Sequence, residues 1–389
     1  MEMESETALR LVKSGVTLLL LDVPQFTLVG IDTQMFSVGP AFKGIKMIPP
    51  GPHFIYYSSS NKEGIEFSTV IGFFIDASPS EVVVRKWDQV EERFHRLSED
   101  EEERFSQAVR NMEFDRHLGP YTLNQYGDWK RLSNYITKSV IEKIEPIGRE
   151  ISVECEPDIA QSILQTPGEK TLGEQLKSTK SSMVVNEPQK KSCYYTPIPH
   201  LVKHKGIQGQ ELTSLNLDKT QLLESILMKE YGGSEDLILG ELQFAFVAFL
   251  MGQSLEAFMQ WKSLICLFFG CYEAPLHTRS QLFTKFINVI YYQLKHGLQK
   301  QADARGTTGN SMLPLLDESW LSSESFLYHL CKDFFSLVME AVVIDGDLLS
   351  WTRSLKQLLE DTLGWEFQQG NALDFNDDDE FAPVVVMDV

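Results

Sequence analysis

The sequence of 389 residues is poor in basic side chains. Its 35 lysines and arginines are outnumbered by 55 aspartates and glutamates, which gives a formal net charge of -20. A charge of this sign repels a nucleic-acid backbone unless basic residues gather on one face, and the sequence shows no such gathering. We therefore expect no direct contact with nucleic acid.

Cysteine is scarce and shows no pattern. The five cysteines lack the paired spacing of a disulfide framework or a zinc site; they are Cys155, Cys193, Cys266, Cys271 and Cys331. No Asn-x-Ser/Thr sequon occurs, and residues 1–6 are acidic where a secretory signal carries a basic flank. These absences predict reduced thiols, no metal or cofactor, and a protein that is not secreted.

Long apolar runs are also missing. The most apolar segment, residues 244–252, is about half of the ~20 residues needed to cross a bilayer. Polar residues stand on both sides of it, including Glu241, Gln243 and Glu256. The pattern predicts a buried helix and no membrane contact.

The motifs of common enzymes are absent. Gly39 and Gly44 have the spacing of a phosphate loop, but Ile45 stands where that loop requires lysine. No Gly-x-Ser-x-Gly elbow and no His-Glu-x-x-His pattern occurs. The sequence therefore favours a protein without catalytic activity.

One enzymatic alternative stays open, because histidines that are distant in sequence can converge in space. It is an active site assembled between domains, with His53, Asp32 or His117 as the participants.

The first part of the chain is β-rich. Short strand-like runs alternate with Pro- and Gly-containing breaks, as in an antiparallel sheet or sandwich; the runs cover residues 16–23, 26–31, 44–48, 53–58, 69–76 and 81–87. Helical spacing follows over residues 99–118 and 129–144. Residues 1–150 are thus predicted to form a sandwich-like domain with packed helices.

The middle and the second half differ in composition. Residues 151–205 are rich in Ser, Thr, Gln, Lys and Pro, which predicts a flexible linker that buries little. Residues 206–367 show six helical segments, with N-caps predicted at Asp218, Ser234 and Ser254, a capping box at Thr278, and a stop at Gly297. The fold class is therefore α+β multidomain, with either a helical bundle or a short superhelical stack in the second half.

The tail, residues 368–389, is acidic and has no lysine or arginine. It ends in an apolar stretch formed by Phe381, Ala382, Pro383, Val384, Val385, Val386 and Met387. β-Branched residues favour extended geometry, and an extended segment can add to the open edge of a partner's sheet. We predict that this stretch binds a partner as an added strand. The alternative is a strand that folds back onto the chain's own amino-terminal sheet.

Several strings resemble the AAR-two splicing-factor family. They include residues 42–51 (Phe-Lys-Gly-Ile-Lys-Met-Ile-Pro-Pro-Gly), residues 118–121 (Leu-Gly-Pro-Tyr), residues 239–246 (Leu-Gly-Glu-Leu-Gln-Phe-Ala-Phe) and residues 382–386 (Ala-Pro-Val-Val-Val). The resemblance covers both predicted domains and the tail. It does not extend over residues 151–199 or 298–320.

The resemblance implies a β-rich amino-terminal domain, a VHS-like superhelical carboxy-terminal domain and no enzymatic activity. It also implies an assembly factor of the U5 small nuclear ribonucleoprotein (snRNP), present in cytoplasm and nucleus. Such a factor holds the RNase H-like and MPN-like domains of the large spliceosomal scaffold protein. The tail inserts between them, at Ala382 to Val386 here, and the U5 RNA helicase is kept from binding early.

Overall fold

The computed structural model describes residues 13–61, 63–154, 192–199, 216–306 and 325–367, with Leu11, Glu156, Lys170, Gly173 and Glu174. For residues 301–306 the description covers the backbone. Within this part of the chain the architecture is a two-sheet β region followed by a helical region, which confirms the predicted α+β class.

Nine strands form two sheets among the described residues. The strands are β1 Val16–Leu21, β2 Leu28–Ile31, β3 Gln34–Ser37, β4 Gly44–Ile48, β5 Gly51–Ser58, β6 Ile71–Ala77, β7 Val82–Asp88, β8 Arg93–His95 and β9 Leu118–Pro120. The first sheet is mixed and has the order β8-β7-β1-β4-β9; the second is antiparallel and has the order β3-β2-β5-β6. Strands β3, β8 and β9 were not predicted, because runs of three or four residues give no measurable period.

The alternation of side chains along β1 explains why the sheets form layers. Val16, Leu18 and Leu20 face the second sheet and share its core. Leu19 and Leu21 face the opposite way and pack with apolar side chains of a helix on the outer face. The two sheets thus form the predicted sandwich, and both faces of the mixed sheet are covered.

Nine α-helices of seven or more residues lie in the described part. Three belong to the β region: α1 Glu99–Arg110, α2 Tyr126–Ser133 and α3 Lys138–Ile144. Six follow: α4 Thr220–Tyr231, α5 Glu235–Leu250, α6 Leu255–Phe269, α7 Ser280–Gly306, α8 Phe326–Glu340 and α9 Gly346–Leu363. The six helices predicted for the second half are therefore present. Their likeness to a VHS superhelix stays a prediction.

Helix α5 is the enclosed centre of the helical region, as its nearly uniform apolar character predicted. Every residue from 238 to 250 is buried. It packs against α2 and α3 from the β region and against α4, α6 and α7 from its own.

Some predicted helix boundaries were wrong. The helix predicted over residues 129–144 is two helices, because Thr137 caps α3 by accepting a hydrogen bond from the Val140 amide. The helix predicted over residues 99–118 ends at Arg110. Helix α7 passes through Gly297, since Leu294 and Leu298 continue its buried stripe.

The capping box predicted at Thr278 does not form. Helix α7 begins two residues later, at Ser280, after a π-helical turn over Ala274–Thr278. The side chain of Gln281 instead donates to Asp345 Oδ2 at 2.9 Å, in the turn before α9.

Parts of the segment predicted as a flexible linker are packed. Ile151 exchanges two backbone hydrogen bonds with Gly72 on β6, at 2.9 and 2.7 Å, and both Ile151 and Val153 are buried. Residues 192–199 have no regular secondary structure, and the Tyr194 amide donates to the carbonyl of Ile144. These contacts could not be predicted from the side-chain composition of the segment, because backbone groups form the hydrogen bonds.

The β region and the helical region share one core. Phe74 on the outer face of the second sheet stacks on Phe244 of α5, with ring centroids 4.4 Å apart. Phe54, Tyr56 and Trp129 join the same apolar cluster as the helical residues. The outer face of the second sheet is therefore covered by α5.

Gly240 allows this close approach. A Cβ atom at Gly240 would lie 2.5 Å from the carbonyl oxygen of Tyr135 and 2.7 Å from Cγ2 of Val140. Gly240→Ala is therefore expected to destabilise the protein by about 1–3 kcal/mol through overpacking. Urea denaturation monitored by far-UV circular dichroism measures this loss.

Gly127→Ala provides the matched control. Gly127 also lies in a helix, but a Cβ atom there meets nothing within 4 Å. We expect this variant to be neutral or slightly stabilised, because alanine is the better helix former. Equal stability of the two variants would contradict the tight contact at Gly240.

Candidate functional site

The predicted docking stretch lies outside the described residues. Its members are Phe381, Ala382, Pro383, Val384, Val385, Val386 and Met387. Its role, whether as a partner strand or as a strand folded back onto the chain, stays a prediction.

The structure brings together two of the three residues of the enzymatic alternative. Asp32 follows β2 and has φ of 55°, a left-handed backbone that aspartate adopts more readily than most residues. Its carboxylate lies 2.7 Å from Nδ1 of His53, near the start of β5. His117 lies elsewhere, exposed, with Nδ1 3.0 Å from the carbonyl of Ala41.

All the polar atoms of the Asp32–His53 pair have partners. Asp32 Oδ1 accepts from the Phe54 amide at 3.1 Å, and Oδ2 also accepts from the Tyr121 hydroxyl at 2.6 Å. His53 Nε2 lies 2.6 Å from the carbonyl oxygen of Pro49, which can only accept. His53 therefore donates from both nitrogens and carries a positive charge.

The pKa of His53 is consistent with this geometry. Burial alone lowers the pKa, but the charge and hydrogen bond of Asp32 and the carbonyl of Pro49 raise it by more, so the net shift is upward. Both residues are fully buried. The pair joins the β2 end, the β5 start and the segment after β9, and it has no free nitrogen to act as a base.

The space beside Asp32 is small. A cavity of about 50 Å³ lies between the β2–β3 turn and the end of α5, lined by Met35, Tyr56, Leu250 and Met251 among others. Pockets for small organic ligands are typically ~300–1,000 Å³. This cavity has room for water rather than for an organic substrate.

A second buried polar cluster lies at the junction of the two regions. The carboxyl group of Glu241 on α5 accepts from the Thr196 amide at 2.7 Å, Gln260 Nε2 at 2.8 Å and the Tyr231 hydroxyl at 2.9 Å. Lys143 Nζ from α3 lies 3.3 Å away. Glu241 thus connects α3, α4 and α6 with the irregular segment around Thr196.

Gln243, two residues further along α5, makes a comparable junction. Its Oε1 accepts from the Tyr135 amide at 2.7 Å. Its Nε2 donates to the Arg131 carbonyl at 3.2 Å and to Asn134 Oδ1 at 2.7 Å. These bonds satisfy the carboxy-terminal end of α2.

Two polar residues in helix α5 could have indicated this junction from the sequence, although periodicity alone does not explain them. Glu241 and Gln243 stand inside an otherwise apolar helix, and both are fully buried. A buried carboxylate or amide requires partners to be stable, so polar residues in such a helix predict contacts with other segments. Which segments supply them is decided by tertiary structure.

Glu156 forms a third buried polar contact. Its Oε2 accepts from the Glu256 amide in the first turn of α6 at 3.1 Å, while Oε1 is buried without a partner. Burial raises the pKa of Glu156 to about 7, although hydrogen bonds from Ser254 and the α6 amides oppose the shift. The group therefore titrates near neutral pH.

The described residues contain no group of three or more His, Cys, Asp or Glu side chains placed to hold a metal ion. Of the described helices, none combines the length and the apolar character that crossing a membrane requires.

A β-sandwich fused through buried polar contacts to a helical region defines an α+β protein with two unequal parts. Two family models match these parts: the AAR2 N-terminal domain over residues 14–146 and the AAR2 C-terminal repeat region over residues 195–368. The chain therefore belongs to the AAR2 family, and the resemblance noted from the sequence is confirmed.

Curated relatives agree with the family models. The human Protein AAR2 homolog is 29% identical over 398 residues, covering 99% of this chain and 97% of the human protein. The mouse Protein AAR2 homolog is 31% identical over 306 residues, covering 76% and 79%. A protein of Saccharomyces cerevisiae named A1 cistron-splicing factor AAR2 is 22% identical over 279 residues, covering 69% and 73%.

Asp32→Asn tests whether the Asp32–His53 pair is structural. Removing one partner of a buried ion pair typically costs about 3–5 kcal/mol, and we expect a loss of that size in urea denaturation. The control is Asp128→Asn, which removes an exposed carboxylate paired with Arg131 at 3.1 Å and should cost less than ~1 kcal/mol. Similar losses for the two variants would contradict the structural role.

Glu156 predicts a pH dependence of stability. Its folded-state pKa of about 7 is above the usual 4.5, so the folded protein binds the proton more tightly than the unfolded chain. Stability from this group is therefore greatest below pH 4.5 and falls as the pH rises to about 7. Glu156→Gln should remove the dependence and stabilise the protein at pH 8 by on the order of 2–3 kcal/mol.

The comparison requires unfolding free energies measured from pH 5 to pH 8 for both proteins. Glu99→Gln, an exposed change in the first turn of α1, serves as control and should keep the parental pH profile. A Glu156→Gln profile parallel to that of the parent would contradict the assignment.

Proposed function

We propose that this chain is a non-catalytic assembly factor of the U5 snRNP in pre-mRNA splicing. The observation that carries the proposal is the end-to-end match with Protein AAR2 homologs, together with the yeast relative that is named a splicing factor. The match includes both structured parts of the chain. The proposed places of action are the cytoplasm and the nucleus.

The proposed partner is the large scaffold protein of the spliceosome. The chain would hold the RNase H-like and MPN-like domains of this protein, and its tail would add a strand between them. Occupation of that place would keep the U5 RNA helicase from binding before assembly is complete. Release of the factor would then open the site to the helicase.

The sequence of the tail supports strand addition. Val384, Val385 and Val386 are β-branched and adjacent, and exposing them to water at a chain end gives no folding benefit unless a partner covers them. Pro383 has no N–H, so useful pairing begins after it. The neighbouring acids would steer the tail toward a basic surface and limit self-association.

The body of the protein supports a role in binding proteins. Its core is continuous from the second sheet to α5, and its Asp32 and Glu241 clusters are satisfied by internal hydrogen bonds. A rigid body of this kind can present two surfaces at a fixed distance and orientation. The net charge of -20 favours a basic protein surface over nucleic acid as the contact.

Deletion of residues 381–389 tests the proposal. We expect affinity for the purified pair of scaffold domains to fall at least tenfold, equivalent to ~1.4 kcal/mol, because the added strand is lost. The melting temperature of the free protein should stay nearly unchanged. Isothermal titration calorimetry and differential scanning calorimetry measure the two quantities.

Two point variants test whether the tail binds through backbone strand pairing or only through its amino-acid composition. Val385→Pro removes a backbone donor within the strand and should weaken binding, whereas Asp388→Asn lies beyond the valines and should not. Unchanged affinity after the deletion would refute docking by the tail. A large loss of stability would favour the strand that folds back onto its own sheet.

A further inference from the structure

A polar cavity opens between the edges of the two sheets. Its volume is about 300 Å³, and it lies between β6, β7 and α3. Arg85 on β7 lines it together with Arg96, which follows β8, and Arg149, which follows α3. No residue of the Asp32 or Glu241 clusters contributes to it, so it is separate from the sites described above.

Arg85 has an unusual position for a charged residue. It lies on the same face of β7 as Val83 and Trp87, which belong to the core between the sheets. Arg85 is therefore on the inner side of the sandwich and is 9 % exposed. Burying a charge costs free energy unless an opposite charge or several hydrogen bonds compensate it.

Little in the described part of the chain compensates Arg85. Its guanidinium donates one hydrogen bond, from Nη1 to the Val84 carbonyl at 2.7 Å, and lies over the Phe73 ring at 5.3 Å. No carboxylate of the described residues pairs with it. The remaining N–H donors of Arg85 are available to a ligand in the cavity.

Both signs of charge line the cavity: Arg96, Arg149 and Lys138 lie around Arg85, and so do the carboxylates of Asp76, Glu81, Glu102, Glu142 and Glu145. Burial, together with the nearby charges of Arg96 and Arg149, lowers the pKa of Arg85 to about 10, while the charges of Glu102 and Glu81 oppose the shift. A guanidinium under this repulsion is stabilised by an anion. No ion pair with a described residue engages Arg96, which is exposed.

Three of the five acids that line the cavity have other partners, and Asp76 and Glu102 are the remaining two. Glu145 pairs with Arg149 at 3.0 Å, and Glu142 lies 3.8 Å from Lys138. Glu81 accepts a hydrogen bond from the Ser78 amide at 2.7 Å. These three carboxylates are therefore bound to groups other than Arg85, although the charges of Glu102 and Glu81 still favour its charged form.

We propose that this cavity binds a phosphate-type oxyanion through Arg85 and Arg96. A phosphate group has several acceptor oxygens and a charge near -2, which matches guanidinium groups that present planar, forked donors. The ligand is either free phosphate or the phosphate of a phosphorylated side chain. The same oxygens would accept hydrogen bonds in both cases.

The test uses the full-length chain and inorganic phosphate. Against sodium chloride at equal ionic strength, phosphate should raise the melting temperature by about 1–3 °C, as expected for a ligand that binds only the folded state. Arg85→Gln should abolish the shift. Arg110→Gln changes an arginine that pairs with Glu103 outside the cavity, and should keep the shift.

Arg96→Gln provides a second test that does not depend on whether the Arg85→Gln variant folds. Because Arg96 is exposed at the rim, its replacement should leave the fold intact and weaken phosphate binding several-fold in isothermal titration calorimetry. A phosphoserine peptide with neutral flanks is titrated in parallel to identify the natural ligand. If the peptide binds more tightly than inorganic phosphate, the ligand is a phosphorylated side chain. If the peptide binds more weakly, the ligand is the free ion.

The expected result for the Arg85→Gln protein without phosphate is equal or higher stability, since a buried charge that lacks a carboxylate partner has been removed. Absence of a phosphate-dependent shift in the parent would overturn the proposal. An equal shift in the Arg85→Gln protein would overturn it as well.

Discussion

A carboxyl group in the most apolar helix of the chain imposes the central constraint on this structure. Glu241 cannot be buried in α5 without donors around it, and those donors come from α3, α4, α6 and the irregular segment around Thr196. Gln243 imposes the same requirement at the end of α2. Apolar burial alone would allow these segments to pack against α5 in many registers of similar energy. The hydrogen bonds to Glu241 and Gln243 can form in only one of these registers.

The two sheets are organised by a comparable arrangement. Asp32 and His53 each use every polar atom of their side chains, and their other partners come from the turn between β4 and β5, from β5 and from the segment after β9. Tyr121 contributes as a donor, because burial and the charge of Asp32 raise its pKa well above the ordinary value. Arg85 differs from these residues, because its buried guanidinium donates one hydrogen bond and has no carboxylate partner among the described residues, and this contrast supports its cavity as a candidate binding site.

The sequence predicted the fold class, the longer strands and the six helices of the second half, because each has a strong period and clear breaks. It did not predict β3, β8 or β9, whose few residues pair only in the tertiary context. It also treated Asp32 and His53 as candidates for catalysis. Their hydrogen bonds, which depend on Pro49 and Tyr121, are a property of the folded chain.

The stacking of Phe74 on Phe244 has a consequence for biosynthesis. The sheet residue leaves the ribosome long before α5 does, and at ~5–20 residues per second the delay is on the order of ten to thirty seconds. During that interval the outer face of the second sheet is apolar and uncovered. Until α5 has been made, this face can associate with other apolar surfaces, so we expect the nascent chain to need protection by general chaperones.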